Sequence, residues 1–111
     1  MGRKKKQKNK IIPKNEFRFN YSTGHPNYIY GETDKRYKGV GITHESETFG
    51  KKNMPLIQNP QKGKSEKAYI RNGYVSDKKS NFNKKPLKDF SFSKEDFANV
   101  KSKIRHKKRH K

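Results

Sequence analysis

The sequence predicts a small, mainly β domain that ends in one helix and carries a basic tail at each end. Three observations support this fold class. Short aromatic and β-branched runs alternate with Gly and Pro between residues 26 and 75. A capped amphipathic stretch follows near the C-terminus, and lysine and arginine crowd both ends of the chain. We therefore expect either a small SH3-like barrel or a bent antiparallel sheet, flanked by basic tails.

Two neighbouring runs predict a β-hairpin. Pro26–Tyr30 (PNYIY) is aromatic and β-branched, and Tyr37–His44 (YKGVGITH) alternates along the chain with the period of a strand. The polar segment Gly31–Lys35 between them is prone to turn, so the two runs should pair as antiparallel strands. Shorter strands are expected at Met54–Ile57, at Ala68–Arg71 and around Tyr74 and Val75.

The C-terminal helix is predicted from its cap and from its apolar stripe. Ser93 followed three residues later by Asp96 satisfies the logic of a capping box. Apolar residues then recur at helical spacing and form a narrow stripe that can dock on a sheet. The stripe consists of Phe97, Val100 and Ile104. We expect the helix within residues 93–106, beginning at Lys94 and fraying after Ile104.

The charge is concentrated at the two ends of the chain. The 111 residues include 30 Lys and Arg against 10 Asp and Glu, a formal net charge of +20. Residues 1–14 and 101–111 each hold seven of the basic residues and no acidic one. These patterns divide the chain into a basic tail (1–14), a small β domain (15–92), a helix (93–106) and a second basic tail (107–111). Such a chain requires an acidic partner, and a phosphate backbone is the densest polyanion available.

Several function classes are disfavoured by what the sequence lacks. The chain has no cysteine, which excludes thiol catalysis, disulfides and Cys-based zinc sites. No stretch is apolar enough to span a bilayer, and nothing resembles a secretory signal. No phosphate-binding loop, zinc-finger spacing or RNA-recognition signature is present. We therefore expect a cytoplasmic protein that needs no cofactor, has no metal site and does not act at a membrane.

The side chains expected to contact nucleic acid are the cations of both tails and a group on the β surface. Aromatic rings among cations suit stacking on unpaired bases, which favours RNA over DNA. Of five tyrosines on or beside predicted strands, we expect three in the core and two on the binding face. The predicted contact residues are Arg3, Lys4, Lys5, Lys6, Lys8, Lys10, Tyr37, Lys38, Arg71, Lys101, Lys103, Arg105, Lys107, Lys108 and Arg109. A ribosome-associated protein fits this pattern, and a DNA-binding protein of a phage or mobile element is an alternative.

Two histidines suggest a second possibility, namely catalysis. His25 precedes the first strand of the predicted hairpin, and His44 ends the second, so antiparallel pairing should bring them near Thr43. A pair of imidazoles beside a hydroxyl suits metal-free phosphodiester cleavage, with one ring as base and the other as acid. The alternative is that both rings lie at the rim and contact only phosphate or solvent.

The middle of the chain resembles the MazF/PemK family of small ribonuclease toxins. The likeness spans roughly residues 24–75 and rests on four short runs. They are Gly24–Tyr30, Gly39–His44, Met54–Leu56 and Ala68–Arg71. This resemblance implies an SH3-like barrel, metal-independent RNA cleavage and an acidic antitoxin-like partner. The strand-end Thr of the family falls at Thr43, whereas its catalytic Arg falls at His25. A barrel that binds RNA without cleaving it fits the resemblance equally well.

Overall fold

The protein was analysed as a computed structural model, which describes residues 12–109, with side chains described for residues 12–105. Its strands and helix follow one another in a simple order along the chain. They are β1 (Phe17–Asn20), β2 (His25–Glu32), β3 (Arg36–Thr43), β4 (Glu47–Thr48), β5 (Lys51–Lys52), β6 (Met54–Pro55), β7 (Tyr69–Ile70), β8 (Val75–Lys78) and α1 (Lys94–Arg109). A short 3-10 turn, Lys79–Asn81, follows β8.

The hairpin of β2 and β3 is the centre of the sheet, as the sequence predicts. The two strands pair antiparallel, with Asn27 opposite Gly41 and Tyr28 opposite Val40. In the turn, the backbone N–H of Thr33 donates to the Arg36 carbonyl at 2.9 Å. Strand β2 extends beyond its predicted run at both ends, because His25 pairs with β1 and Gly31 and Glu32 pair with β3. Strand β3 begins one residue earlier than predicted, where Arg36 pairs with β8, and ends at Thr43, one residue earlier than predicted.

The sheet is antiparallel and bent, which confirms the predicted fold class. Its strand order is β1-β2-β3-β7-β6, and β8 pairs with the first half of β3 while β7 pairs with its end. One long strand thus has two different neighbours along one edge, which forces the sheet to curve. Residues 81–83 return to the outer edge of β1, where Tyr21 N–H donates to the Asn81 carbonyl at 2.8 Å. Strand pairing within residues 12–109 does not close a barrel.

The core lies between the bent sheet and α1. Phe17 and Tyr28 contribute rings from neighbouring strands, and the Phe17 and Phe92 ring centroids lie 4.9 Å apart. The helix contributes Val100 and Ile104, both fully buried. The other members are Val40, Ile42, Leu56, Ala68, Ile70 and Phe90. Four of the eleven core members are aromatic, and each of these rings buries more area than an aliphatic side chain.

The start of α1 confirms the predicted cap, and its end lies further along the chain than expected. The Asp96 backbone N–H donates to Ser93 Oγ at 3.1 Å, as an N-cap requires. The helix continues to Arg109, so three residues placed in the second basic tail are helical. No helix in the described part of the chain has the length and apolar character needed to cross a bilayer.

Strand β1 lies outside the predicted runs because its polar residues are buried rather than exposed. Arg18 is only 9% exposed. Its guanidinium donates to the Glu16 carboxylate at 3.0 Å and to the carbonyls of Asn83 and Lys84 at 2.9 and 2.8 Å. Asn20 is fully buried and donates to the Asp77 carboxylate. Alternating polar residues are usually read as a solvated face, and only distant partners make their burial favourable.

Candidate nucleic-acid interface

Two acidic residues, Asp96 and Asp77, accept hydrogen bonds from other parts of the fold. Asp96 is 1% exposed and accepts hydrogen bonds from the backbone N–H groups of Ile57 and Gln58. Asp77 accepts hydrogen bonds from the side-chain amides of Asn20 and Asn81 at 3.1 and 2.8 Å. These hydrogen bonds stabilise the charged form and hold the pKa of Asp77 well below its usual range. Neither carboxylate is therefore placed to neutralise lysines on the surface.

Two further acidic residues form ion pairs at the sheet. Glu16 lies 3.0 Å from the Arg18 guanidinium, and Glu32 lies 3.2 Å from Lys79 Nζ. Because the chain has three times as many basic as acidic residues, these pairs leave the positive excess almost unchanged. The surface potential is consequently set by lysine and arginine.

The predicted cations of α1 lie beside aromatic rings at the border of the core. Lys101 Nζ is 4.9 Å from the Phe97 ring centroid, and Lys103 Nζ is 4.9 Å from that of Tyr74. Arg105 is exposed. The helix backbone also includes Lys107, Lys108 and Arg109, whose side chains lie outside the described residues. Aromatic contacts restrict the lysine side chains without neutralising them, so their charge stays available to an anion.

The predicted contacts of the first basic tail cannot be placed on the fold. Arg3, Lys4, Lys5, Lys6, Lys8 and Lys10 all lie outside the described residues. The chain first becomes described at Ile12, which packs against the core. The carbonyl of Pro13 then accepts a hydrogen bond from the Tyr28 hydroxyl. The described chain that follows this tail therefore begins against the hydrophobic core, at Ile12.

On the β surface, Tyr37 is surrounded by cations. Arg18 Cζ lies 4.7 Å and Lys79 Nζ lies 5.1 Å from its ring centroid, and the Phe82 ring meets it edge-on at 5.2 Å. Tyr37 is half-buried, whereas the neighbouring Lys38 is exposed. In the observed arrangement two cations and the Phe82 ring already contact the Tyr37 ring, and the Lys38 side chain points to the other face of the sheet.

The tyrosines divide differently from the expected three buried and two exposed. Tyr28 is fully buried, and burial raises the pKa of its hydroxyl. The four others are half-buried, each with part of its ring against protein. They are Tyr30, Tyr37, Tyr69 and Tyr74. The most exposed aromatic side chains within the described residues are instead Phe49 and Tyr21.

Arg71 lies over the glycine of the central strand. Its backbone N–H donates to the Gly41 carbonyl at 2.9 Å. A Cβ atom at position 41 would lie 3.0 Å from Arg71 Cδ, so glycine allows the arginine stem to lie flat on β3. The half-buried Arg71 is thus held on β3 at Gly41, two residues before Thr43 of the predicted histidine cluster.

The structure places the His25 ring against the backbone of β3 near its end, and no hydrogen bond among the described residues joins the three members of that cluster. His25 Nδ1 lies 3.1 Å from the Ile42 carbonyl oxygen, next to Thr43 in β3. Because a carbonyl only accepts hydrogen bonds, Nδ1 carries the proton and Nε2 is the basic nitrogen of the neutral ring. Thr43 is 6% exposed, and its hydroxyl accepts a hydrogen bond from the Glu45 N–H at 3.2 Å. His44 is exposed, and no hydrogen bond among the described residues joins it to His25.

A groove rimmed by lysines was not predicted from the sequence. Residues 58–64 and 85–91 enclose an open cavity of about 910 Å³, with Asn15 at its border. The two segments are joined by the Lys62 N–H to Asp89 carbonyl bond at 2.7 Å and the Ser91 N–H to Pro60 carbonyl bond at 2.9 Å. Its charged lining residues are Lys62, Lys64, Lys85, Lys88 and Asp89. The available signal was two lysine-rich loops, but nothing local in either loop indicates that they meet.

Among the described residues, no group of three or more His, Asp or Glu side chains could hold a metal ion. No family model, curated protein or solved structure matches this chain. Its function must therefore be argued from the geometry and charge of the described surface.

Proposed function

We propose that this protein binds nucleic acid, RNA in preference to DNA, through contacts to the phosphate backbone. The observation that carries the proposal is the lysine-rimmed groove, where two loops bring four lysines together with a single acidic residue. Like charges at one site repel each other unless a polyanion occupies it, so a phosphate backbone is the fitting ligand. The basic residues of α1 and the basic sequences of both tails add further positive charge to the protein.

The excess charge also supports a more specific setting. A cysteine-free chain of 111 residues with a net charge of +20 suits a cytoplasmic protein associated with a large RNA such as the ribosome. In such a setting the polycationic ends would gain most of their contacts from the RNA. DNA binding in a phage or mobile element uses the same phosphate chemistry and is the alternative partner.

The proposal is tested by measuring binding to fluorescent single- and double-stranded RNA and DNA of equal length by anisotropy over a range of salt concentrations. We expect tighter binding to RNA and a steep fall of affinity with salt, because each phosphate contact releases counterions. Removing residues 1–10 and 107–111 should flatten the dependence of log affinity on log salt by several units. The truncation stops at 107 because Ile104 belongs to the core. Equal slopes for the two proteins would exclude the tails as a binding surface.

A second candidate function is metal-independent endoribonuclease activity of the toxin–antitoxin type. The observation favouring it is the contact of His25 Nδ1 with the Ile42 carbonyl at 3.1 Å, at the end of β3 where Thr43 lies. With Nδ1 as the donor of this contact, Nε2 would be the basic nitrogen. Arg71 on Gly41 would supply a nearby positive charge for a scissile phosphate. If the protein is such a ribonuclease, we also propose that it is related to the MazF/PemK family and that it has an acidic, antitoxin-like protein partner. The ribonuclease function ranks below nucleic-acid binding because no hydrogen bond among the described residues joins His44 to His25.

A further inference from the structure

The tip of the β4–β5 hairpin has a residue that its backbone geometry disfavours. Thr48 pairs with Lys51, so the turn consists of Phe49 and Gly50 alone. Their φ angles are 52° and 78°, the pair of positive values that defines a type I′ turn. Asn followed by Gly is the usual choice there, whereas a bulky aromatic residue at positive φ is a conformational outlier. The turn itself therefore does not explain why position 49 is phenylalanine.

Packing inside the protein does not explain the phenylalanine at position 49 either. The Phe49 side chain is 93% exposed, the most exposed of the large apolar residues in the described part of the chain. It does not belong to the hydrophobic core. A residue that is costly for the backbone and contributes nothing to the interior is expected where it contacts something outside the chain.

The base of the hairpin is held rigidly by two asparagine side chains. Buried Asn53 donates through Nδ2 to the Glu45 carbonyl at 3.0 Å and to Thr48 Oγ1 at 2.8 Å. Asn72 donates through Nδ2 to the carbonyls of Thr48 and Lys51 at 3.1 and 3.0 Å. The exposed ring is thus presented on a fixed support, which lowers the entropy lost when a ligand binds it.

Charge around the tip distinguishes among partners for the exposed ring. Lys51 follows the turn directly and stands opposite the neutral Thr48, whereas Lys52 stands opposite Glu47. Lys51, two residues after Phe49, therefore has no cross-strand acid. An exposed ring with a cation two residues away in the same hairpin matches a nucleobase and its flanking phosphate, because every base has a π-face to stack on.

We propose that Phe49 stacks on an unpaired base of the bound nucleic acid while Lys51 contacts an adjacent phosphate. This inference rests on the proposed function and deepens it, since it makes single-stranded segments the preferred target. A duplex hides its base faces, and an aromatic side chain reaches them only where bases are unstacked or splayed out.

The test compares Phe49→Asn with Phe49→Trp in the full-length protein. The probe is a single-stranded RNA carrying 2-aminopurine, whose fluorescence responds to stacking. Phe49→Asn creates the favoured Asn-Gly turn, so the melting temperature should stay equal or rise, while the Kd for the probe rises by about tenfold and the stacking signal is lost. Phe49→Trp should keep both. Ile57→Asn is the matched control because Ile57 is also exposed, at 65%, and its change should leave the Kd unaltered.

The contrary outcomes identify which proposal fails. Wild-type affinity and an intact stacking signal in Phe49→Asn would overturn the stacking role and leave the proposed function standing. A dimer in wild-type protein that Phe49→Asn abolishes, with no change in RNA affinity, would assign Phe49 to contact with a second copy. Wild-type protein that binds no nucleic acid at all would overturn both proposals together.

Discussion

The Asp96 carboxylate, in the first turn of α1, lies 2.8 Å from the backbone N of Ile57, 39 residues earlier in the chain. Asp96 also accepts the Gln58 N–H at 3.1 Å and donates its own N–H to the Ser93 hydroxyl. One side chain thus ties the helix start to the loop that begins the lysine-rimmed groove. The helix cap and the start of the groove are therefore joined by hydrogen bonds of the same residue, Asp96.

We expect Asp96→Ala to lower the free energy of unfolding by about 2–4 kcal/mol, because two backbone N–H groups lose a charged acceptor that is itself buried. Urea denaturation measures the change. Glu95→Ala is the matched control, since Glu95 is exposed in the same helical turn and should shift stability far less. Equal losses in the two variants would show that the contact to Ile57 contributes nothing.

Asp77 makes stability depend on pH in a defined direction. Hydrogen bonds from Asn20 and Asn81 lower the pKa of Asp77 in the folded state. A lowered folded pKa contributes stability that is fully present above the ordinary pKa of Asp, about 4, and is lost as the pH falls below it. The stability difference between wild type and Asp77→Asn should therefore shrink as the pH is taken from 6 to 2.

Urea midpoints of both proteins across that pH range test this dependence. The exposed turn residue Asp34 offers a control, because Asp34→Asn changes the net charge equally without removing the Asn20 contact. A constant difference between wild type and Asp77→Asn at every pH would contradict the assignment.

Replacing the groove lysines should weaken nucleic-acid binding and reduce its salt dependence. Each lost phosphate contact lowers the slope of log affinity against log salt by about 0.7 for a single strand. Four glutamine substitutions should thus remove about 2–3 units of slope. The groove variant changes Lys62, Lys64, Lys85 and Lys88. The charge-matched control changes Lys35, Lys52, Lys78 and Lys79, which lie outside the groove, the two tails and α1. Indistinguishable slopes for the two variants would show that net charge, rather than the groove, governs binding.

Purified protein should not cleave single-stranded RNA in EDTA. His25 lies beside Thr43, but the described residues provide no hydrogen-bonded acid that orients its ring, and a second imidazole is not held against it. Gel analysis of labelled RNA, with end-group analysis of any products, decides the point. Cleavage that gives 2′,3′-cyclic phosphate ends and falls by about 10²-fold in His25→Ala would assign the protein to the endoribonucleases instead.

The parts of this protein that the sequence determined are those set by neighbours in the chain. The β2–β3 hairpin follows from two alternating runs and one polar turn, and the helix start follows from Ser93 and Asp96. In each case the deciding interactions join residues close together in sequence, so local pattern carries the information. The excess of positive charge is likewise a property of composition and needs no structure.

Tertiary structure alone decided which polar residues became internal and where the cations met. No local pattern predicts that Arg18 and Asn20 are buried, and acceptors more than 50 residues away make their burial favourable. The groove joins two loops whose lysines are more than 20 residues apart in sequence. The exposed Phe49 depends on a turn whose strands are two residues each and are held by Asn53 and Asn72. Such contacts form only when segments that are distant in sequence come together in the fold, so a local sequence pattern does not predict them.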